Sequence, residues 1–174
     1  AGGEFGEEHA NQMRETISFA SPNHGDTVLL DFGGIESATS SYLKRLLNPF
    51  FIPAGEPGGF EKELHPIIIN VQHQDLREDL EDHLNGKRRV IILAEITQGR
   101  PAFKSLVGTL DGAAAETFVE LRELKRSTAA QLYERHRGQT TNQTAWNNRL
   151  AHLVELRIAR RTREGRFWIY QPTL

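Results

Sequence analysis

Cysteine is absent from the chain, which removes disulfides, thiolate zinc sites and cysteine nucleophiles together. No apolar run approaches the ~20 residues that a membrane-spanning helix needs. No positively charged start followed by an apolar segment marks a secretion signal, so the sequence reads as a cytoplasmic protein. Nucleotide-binding glycine patterns are missing too. GEPGGFE, residues 55–61, lacks the preceding strand and following helix that a phosphate loop requires. Methionine occurs once, as Met13. Residues 1–12, AGGEFGEEHANQ, are set aside as an appended or disordered leader, with Met13 as the natural start.

What is present divides unevenly. The net charge of −2 conceals −7 over residues 1–111, with 10 Lys+Arg and 17 Asp+Glu, and +5 over residues 112–174, with 11 and 6. A basic half beside an acidic one points to a polyanionic partner for the basic half. At 174 residues and 38% apolar content, the chain can hold one large core or two modest ones.

Residues 27–32, TVLLDF, form an apolar run between Gly25-Asp26 and Gly33-Gly34, the pattern of a buried strand. Tyr42, Leu43, Leu46 and Leu47 recur at helical spacing over residues 40–47, with Thr39 or Ser40 as N-cap and Pro49 as terminator. Residues 48–65 are rich in Pro and Gly and read as a surface loop. A second strand is predicted over residues 67–71, IIINV. An amphipathic helix follows, with Leu76, Leu80 and Leu84 four apart and a stop at Asn85-Gly86. VIILAEI, residues 90–96, is a third strand. Wholly apolar strands alternating with helices predict a covered, largely parallel sheet. Residues 99–112 read as a strand pair or a linker. Helices are predicted over 113–124, 128–136 and 141–156, then a hairpin about Glu164-Gly165.

TAAQLYERHRGQTTNQTAWNNRLAHLVELRIARRTREGRFWIYQP, residues 128–172, resembles the winged helix-turn-helix family. RLAHLVELRIARR fits that family's recognition-helix ending, with Arg157 where Gly is usual. The resemblance implies three helices and a β-hairpin, with double-stranded DNA as partner. The start of the last helix offers Thr140, Thr141, Asn142, Gln143, Thr144, Asn147 and Asn148, with Arg149 on the same helix. Short amides and hydroxyls suit base edges and phosphates in a major groove. Arg160, Arg161, Arg163 and Arg166 on the hairpin suit phosphates or a minor groove. Tyr133, Trp146, Phe167, Trp168 and Tyr170 are assigned to packing rather than to base stacking.

Leu30-Asp31-Phe32, then Gly34-Ile35, then Thr39-Ser40-Ser41-Tyr42-Leu43 resembles the STAS family of anti-sigma-factor antagonists, over about residues 14–105. The resemblance implies an α/β domain with a mixed sheet flanked by helices. It further implies phosphorylation of Ser40, with Ser41 its neighbour, by a kinase-like ATPase of the anti-sigma type, docking at Thr39, Tyr42 and Leu43. A phosphate there would meet the free N–H groups of a helix start, and its charge would expel a partner. Thr39 replaces the family's usual Asp, and Tyr42 its usual Gly. The aromatic fits the STAS-like variety found in uncharacterised bacterial proteins. The plainer reading of Thr39 and Ser40 is helix capping alone.

Asp31 stands without a Ser/His/Asp order around it, and is read as shaping the turn. His24, His65, His73, His83, His136 and His152 are scattered over separate elements. His73 and His83 bracket an acidic helix with Asp75, Glu78, Asp79 and Asp82, which reads as a solvated charged face rather than a metal site. No catalytic residue, cofactor or metal is therefore expected. The expected layout is a STAS-like domain over residues 13–105 and a winged helix over 106–174, α/β plus α+β. Such a chain would be a bacterial transcription or signalling regulator, with homodimerisation open. The alternative is a protein–protein adaptor in a signalling or defence system that binds no nucleic acid.

Overall fold

A computed structural model describes residues 3–138 and 142–174, for which the chain is mixed α and β. It divides into two compact units, the boundary in sequence falling between Thr109 and Leu110.

The first unit runs α1 (Gly3–Phe19), β1 (Thr27–Asp31), α2 (Ser40–Leu47), a 3-10 turn (Asn48–Phe51), β2 (His65–Ile69), α3 (Gln74–Asn85), β3 (Val90–Thr97) and β4 (Arg100–Gly108). The sheet order is β1-β2-β3-β4, with the first three strands parallel and β4 antiparallel to β3. Strand β2 is buried at all five of its positions, His65 included, which suits its Ile67–Ile69 run to a sheet covered on both faces. Alternation along the strands puts Leu30, Ile68 and Leu93 in one row, register partners of one another. That row joins Leu43, Leu46 and Leu47 from α2 and Leu76, Leu80 and Leu84 from α3 in one core.

Three readings change. Residues 3–12 are helical, and Ala10 and Ile17 are buried in the first unit's core with Met13 packed against it; the leader is an element of the fold. Residues 48–65 are not a bare surface loop, since Phe50, Phe60 and Leu64 are buried and the two phenyl rings meet at 4.8 Å. Residues 99–112 are neither strand pair nor linker alone. Residues 100–108 pair with β3 through a two-residue turn, Gln98 and Gly99, both at positive φ.

Helix α3 does end at Asn85-Gly86, yet Gly86 stays right-handed at φ −59°. The left-handed position falls on Arg88, φ 52°. Arg88 N–H bonds to Asn85 O and Arg89 N–H to Leu84 O, satisfying carbonyls that the helix end leaves open. Gly108 closes β4 at φ 90°, where a Cβ would sit 2.3 Å from Arg89 O.

The second unit runs α4 (Gly112–Leu124), α5 (Ala129–Arg135), α6 (Gln143–Glu155), β5 (Ala159–Glu164) and β6 (Phe167–Pro172). Each helix starts on a side-chain cap: Asp111 Oδ1 to Ala114 N–H, Thr128 Oγ1 to Gln131 N–H, and Asn142 Oδ1 to Ala145 N–H. Gln131 Oε1 accepts in return from Thr128 N–H, completing a capping box. Phe118, Leu121, Leu132, Trp146, Leu150, Leu153 and Tyr170 are all buried. Ser127 and Tyr170 exchange two backbone hydrogen bonds, so the segment before α5 adds a one-residue bridge to the β5–β6 hairpin.

Candidate nucleic-acid interface and the start of α2

Helix α6 turns its polar start outward. Gln143, Thr144, Asn147 and Asn148 are exposed, while Trp146, Leu150, Leu153 and Val154 are buried. Asn142 is exposed too, but its Oδ1 is committed to the cap at 2.8 Å. Thr140 and Thr141 lie outside the described residues. Arg149 departs from its expected company. It follows Asn147 by two residues, roughly 160° around the helix, is half-buried, and its guanidinium sits 5.0 Å over the Trp146 ring. There it lines a groove of about 680 Å³ between α4 and α6, with Val119, Glu120, His136 and Trp146. His136 stacks on Trp146 at 5.0 Å and its Nε2 lies 3.4 Å from Glu120.

The hairpin splits its arginines between two faces. Register pairs Arg163 with Trp168, Arg161 with Tyr170 and Arg160 with Gln171. Directly opposed residues share a face and neighbours along a strand do not. Arg161, Arg163, Trp168 and Tyr170 therefore lie on one face, and Arg160 and Thr162 on the other. Arg160 is half-buried, Arg161 and Arg163 exposed. Arg161 lies 4.7 Å and Arg163 5.7 Å from the Trp168 ring centre, and Arg166, at the turn, 5.0 Å from that of Phe167. Glu164 pairs with Arg126 and subtracts one charge from this end.

The aromatics expected in core and hairpin packing divide between the two. Trp146 and Tyr170 are buried, at 3% and 2% exposure, but Trp168 is 42% and Phe167 51% exposed. The alternation of a two-stranded hairpin whose base alone meets the helices leaves the outer aromatics uncovered.

In the first unit, the start of α2 is capped by Thr39, whose Oγ1 accepts from Tyr42 N–H at 3.3 Å. Ser40 and Ser41 are exposed in the first turn. Leu43 is fully buried and so belongs to the core, not to a docking face. Tyr42 is half-covered: its hydroxyl hydrogen-bonds His9 Nδ1 at 2.9 Å, the two rings lie 5.8 Å apart, and burial raises the phenol's pKa. The turn leading into α2 is held from two sides. Asp31 Oδ1 accepts from Gly33 N–H at 2.8 Å and from Asn70 Nδ2 at 2.9 Å, and Asp79 Oδ2 on α3 accepts from Ala38 N–H at 2.8 Å. Asp79 thus departs from the purely solvated acidic face expected of α3. His83 also leaves that face. It is buried with Leu76, Leu80 and Leu84, and burial, with Lys87 and Arg89 beside it, lowers its pKa.

Helix α1 itself was readable in principle. Ala10, Met13 and Ile17 recur at helical spacing. Among the described residues no helix is long and apolar enough to cross a membrane. Comparison with family models, curated proteins and solved structures finds no match to the chain.

Proposed function

We propose that the second unit is a winged helix-turn-helix that binds double-stranded DNA, and that the first is a STAS-like unit through which a partner or signal acts on it. The observation that carries the reading is the pair of exposed guanidiniums, Arg161 and Arg163, on one hairpin face. The element order, the outward amides of α6 and the Ser127–Tyr170 bridge support it. So does the charge of +5 over residues 112–174. Phosphate contacts by Lys and Arg release counterions, so such binding weakens steeply as salt rises. The test is fluorescence anisotropy on a labelled duplex of arbitrary sequence across a salt series. Changing Arg160, Arg161 and Arg163 together to Ala is expected to weaken binding and to flatten the salt slope by about 0.9 for each phosphate no longer neutralised. Binding that survives with an unaltered slope sinks the hairpin assignment.

Ser40, exposed in the first turn of α2, is the residue this reading offers for phosphorylation by a kinase-like ATPase, with Thr39 and Tyr42 beside it. A second reading, a protein adaptor that never touches nucleic acid, is favoured by the groove between α4 and α6, where Val119 is 55% exposed. No anisotropy change at low salt would select it.

A further inference from the structure

Trp168 combines three features. It is a large aromatic near the end of a hairpin, it is 42% exposed, and it has two guanidiniums over its ring, at 4.7 Å and 5.7 Å. Core packing does not account for it, because its register neighbours toward the turn are exposed as well. What stands over its ring is a pair of arginines, Arg161 and Arg163.

We infer that Trp168 is a positioning residue: a platform that holds the Arg161 and Arg163 guanidiniums over its ring, leaving N–H groups for a phosphodiester backbone. This rests on the DNA reading above and names the part of the duplex the hairpin takes. A guanidinium binds a carboxylate or phosphate through its edge and an aromatic through its face, so both contacts can be made at once. An arginine free in water loses side-chain entropy on binding phosphate. One already laid on an indole has lost part of it beforehand, and the affinity gains that part. Arg163 is pinned further, its Nε donating to Gly165 O at 3.3 Å, which leaves its terminal amino groups for the ligand. Arg166 over Phe167, at 5.0 Å, repeats the device at the turn.

The experiment compares the full chain with Trp168→Leu, Trp168→Phe and Arg161→Ala. Duplex affinity is measured against salt, and the side-chain Nε–H order parameters of Arg161 and Arg163 are measured without DNA. Retained exchange protection of the paired amides of β5 and β6 certifies that the hairpin is intact in each variant. Trp168→Leu removes no charge. It is expected to weaken binding about fivefold, with the salt slope within about half a unit of wild type, and to loosen both guanidiniums. Trp168→Phe is expected to restore most of both. Unchanged affinity with unchanged order parameters in Trp168→Leu overturns the platform. A slope reduction as large as that of Arg161→Ala overturns it too. If wild type binds no duplex, the DNA reading falls, and the order parameters alone then decide whether Trp168 positions the arginines.

Discussion

The bond from Asp79 to Ala38 N–H joins residues 41 apart in sequence and ties the middle of α3 to the residue just before the α2 cap. Asp79→Ala removes the acceptor. A hydrogen bond to a charged group contributes about 1.5–3 kcal/mol. Asp79 is half-buried, and water can partly replace it, so the low end, about 1.5 kcal/mol, applies. The loss is local, because the leucines on either side, Leu76 and Leu80, stay buried. Native-state amide exchange resolves it residue by residue, which also suits a chain of two units, where a single unfolding free energy is ill-defined. Ala38 and Tyr42 amides are expected to exchange about tenfold faster in Asp79→Ala, and about twofold faster in Asp79→Asn, which keeps an acceptor without the charge. Ile68 and Leu93 amides serve as the reference and are expected to be unaffected. Unchanged Ala38 exchange, or equal acceleration at Ile68, would refute the reasoning.

Gly108→Ala is expected to destabilise the first unit by about 3 kcal/mol or more, read by native-state exchange of that unit's sheet amides, because the new Cβ would meet Arg89 O at 2.3 Å in a left-handed backbone. Arg88→Gly is expected to stabilise by about 0.5–1 kcal/mol, the left-handed cost relieved less the extra freedom of the unfolded chain, in the same assay. His83 has a native pKa lowered by burial and by Lys87 and Arg89, so the unfolded chain takes up its proton first. Its contribution to stability is full above the unfolded value, about 6.5, and is lost as pH falls from there toward the native value. His83→Gln is expected to flatten that decline in amide-exchange stability measured down from neutral pH.

The elements were legible wherever one apolar period ran long enough. TVLLD, HPIII and VIILAEIT, and the three-helix run after Asp111, lie within a residue or two of their predicted places. Helix α2, with Thr39 as its cap, spans the predicted residues 40–47. What escaped the sequence was long-range. Nothing local tells that α1 brings His9 to Tyr42, or that Asp79, one carboxylate among several on α3, reaches Ala38. Arg157 is a different case. Where the resembled family carries Gly, this chain holds an arginine at φ 65° and 8% exposure. The helix closes there with Arg157 N–H to Val154 O and Ile158 N–H to Leu153 O, an arrangement in which a left-handed residue is required whatever its identity. The candidate DNA residues do not all share one face. Period 2 along β5 separates Arg160 from Arg161, and the helical period turns Arg149 away from Asn147.

That helix end has a mechanical consequence. Only Leu156, Arg157 and Ile158 separate α6 from β5, and the last two are clamped by the residue that follows β6: Thr173 N–H bonds Ile158 O at 2.9 Å and Thr173 Oγ1 bonds Arg157 O at 3.0 Å. Helix and hairpin are thus welded at the root, with no slack segment to act as a hinge. A load placed on the arginine-bearing arm is passed straight into the helix axis, so a ligand held by both would be gripped by one stiff fork rather than by two independent fingers.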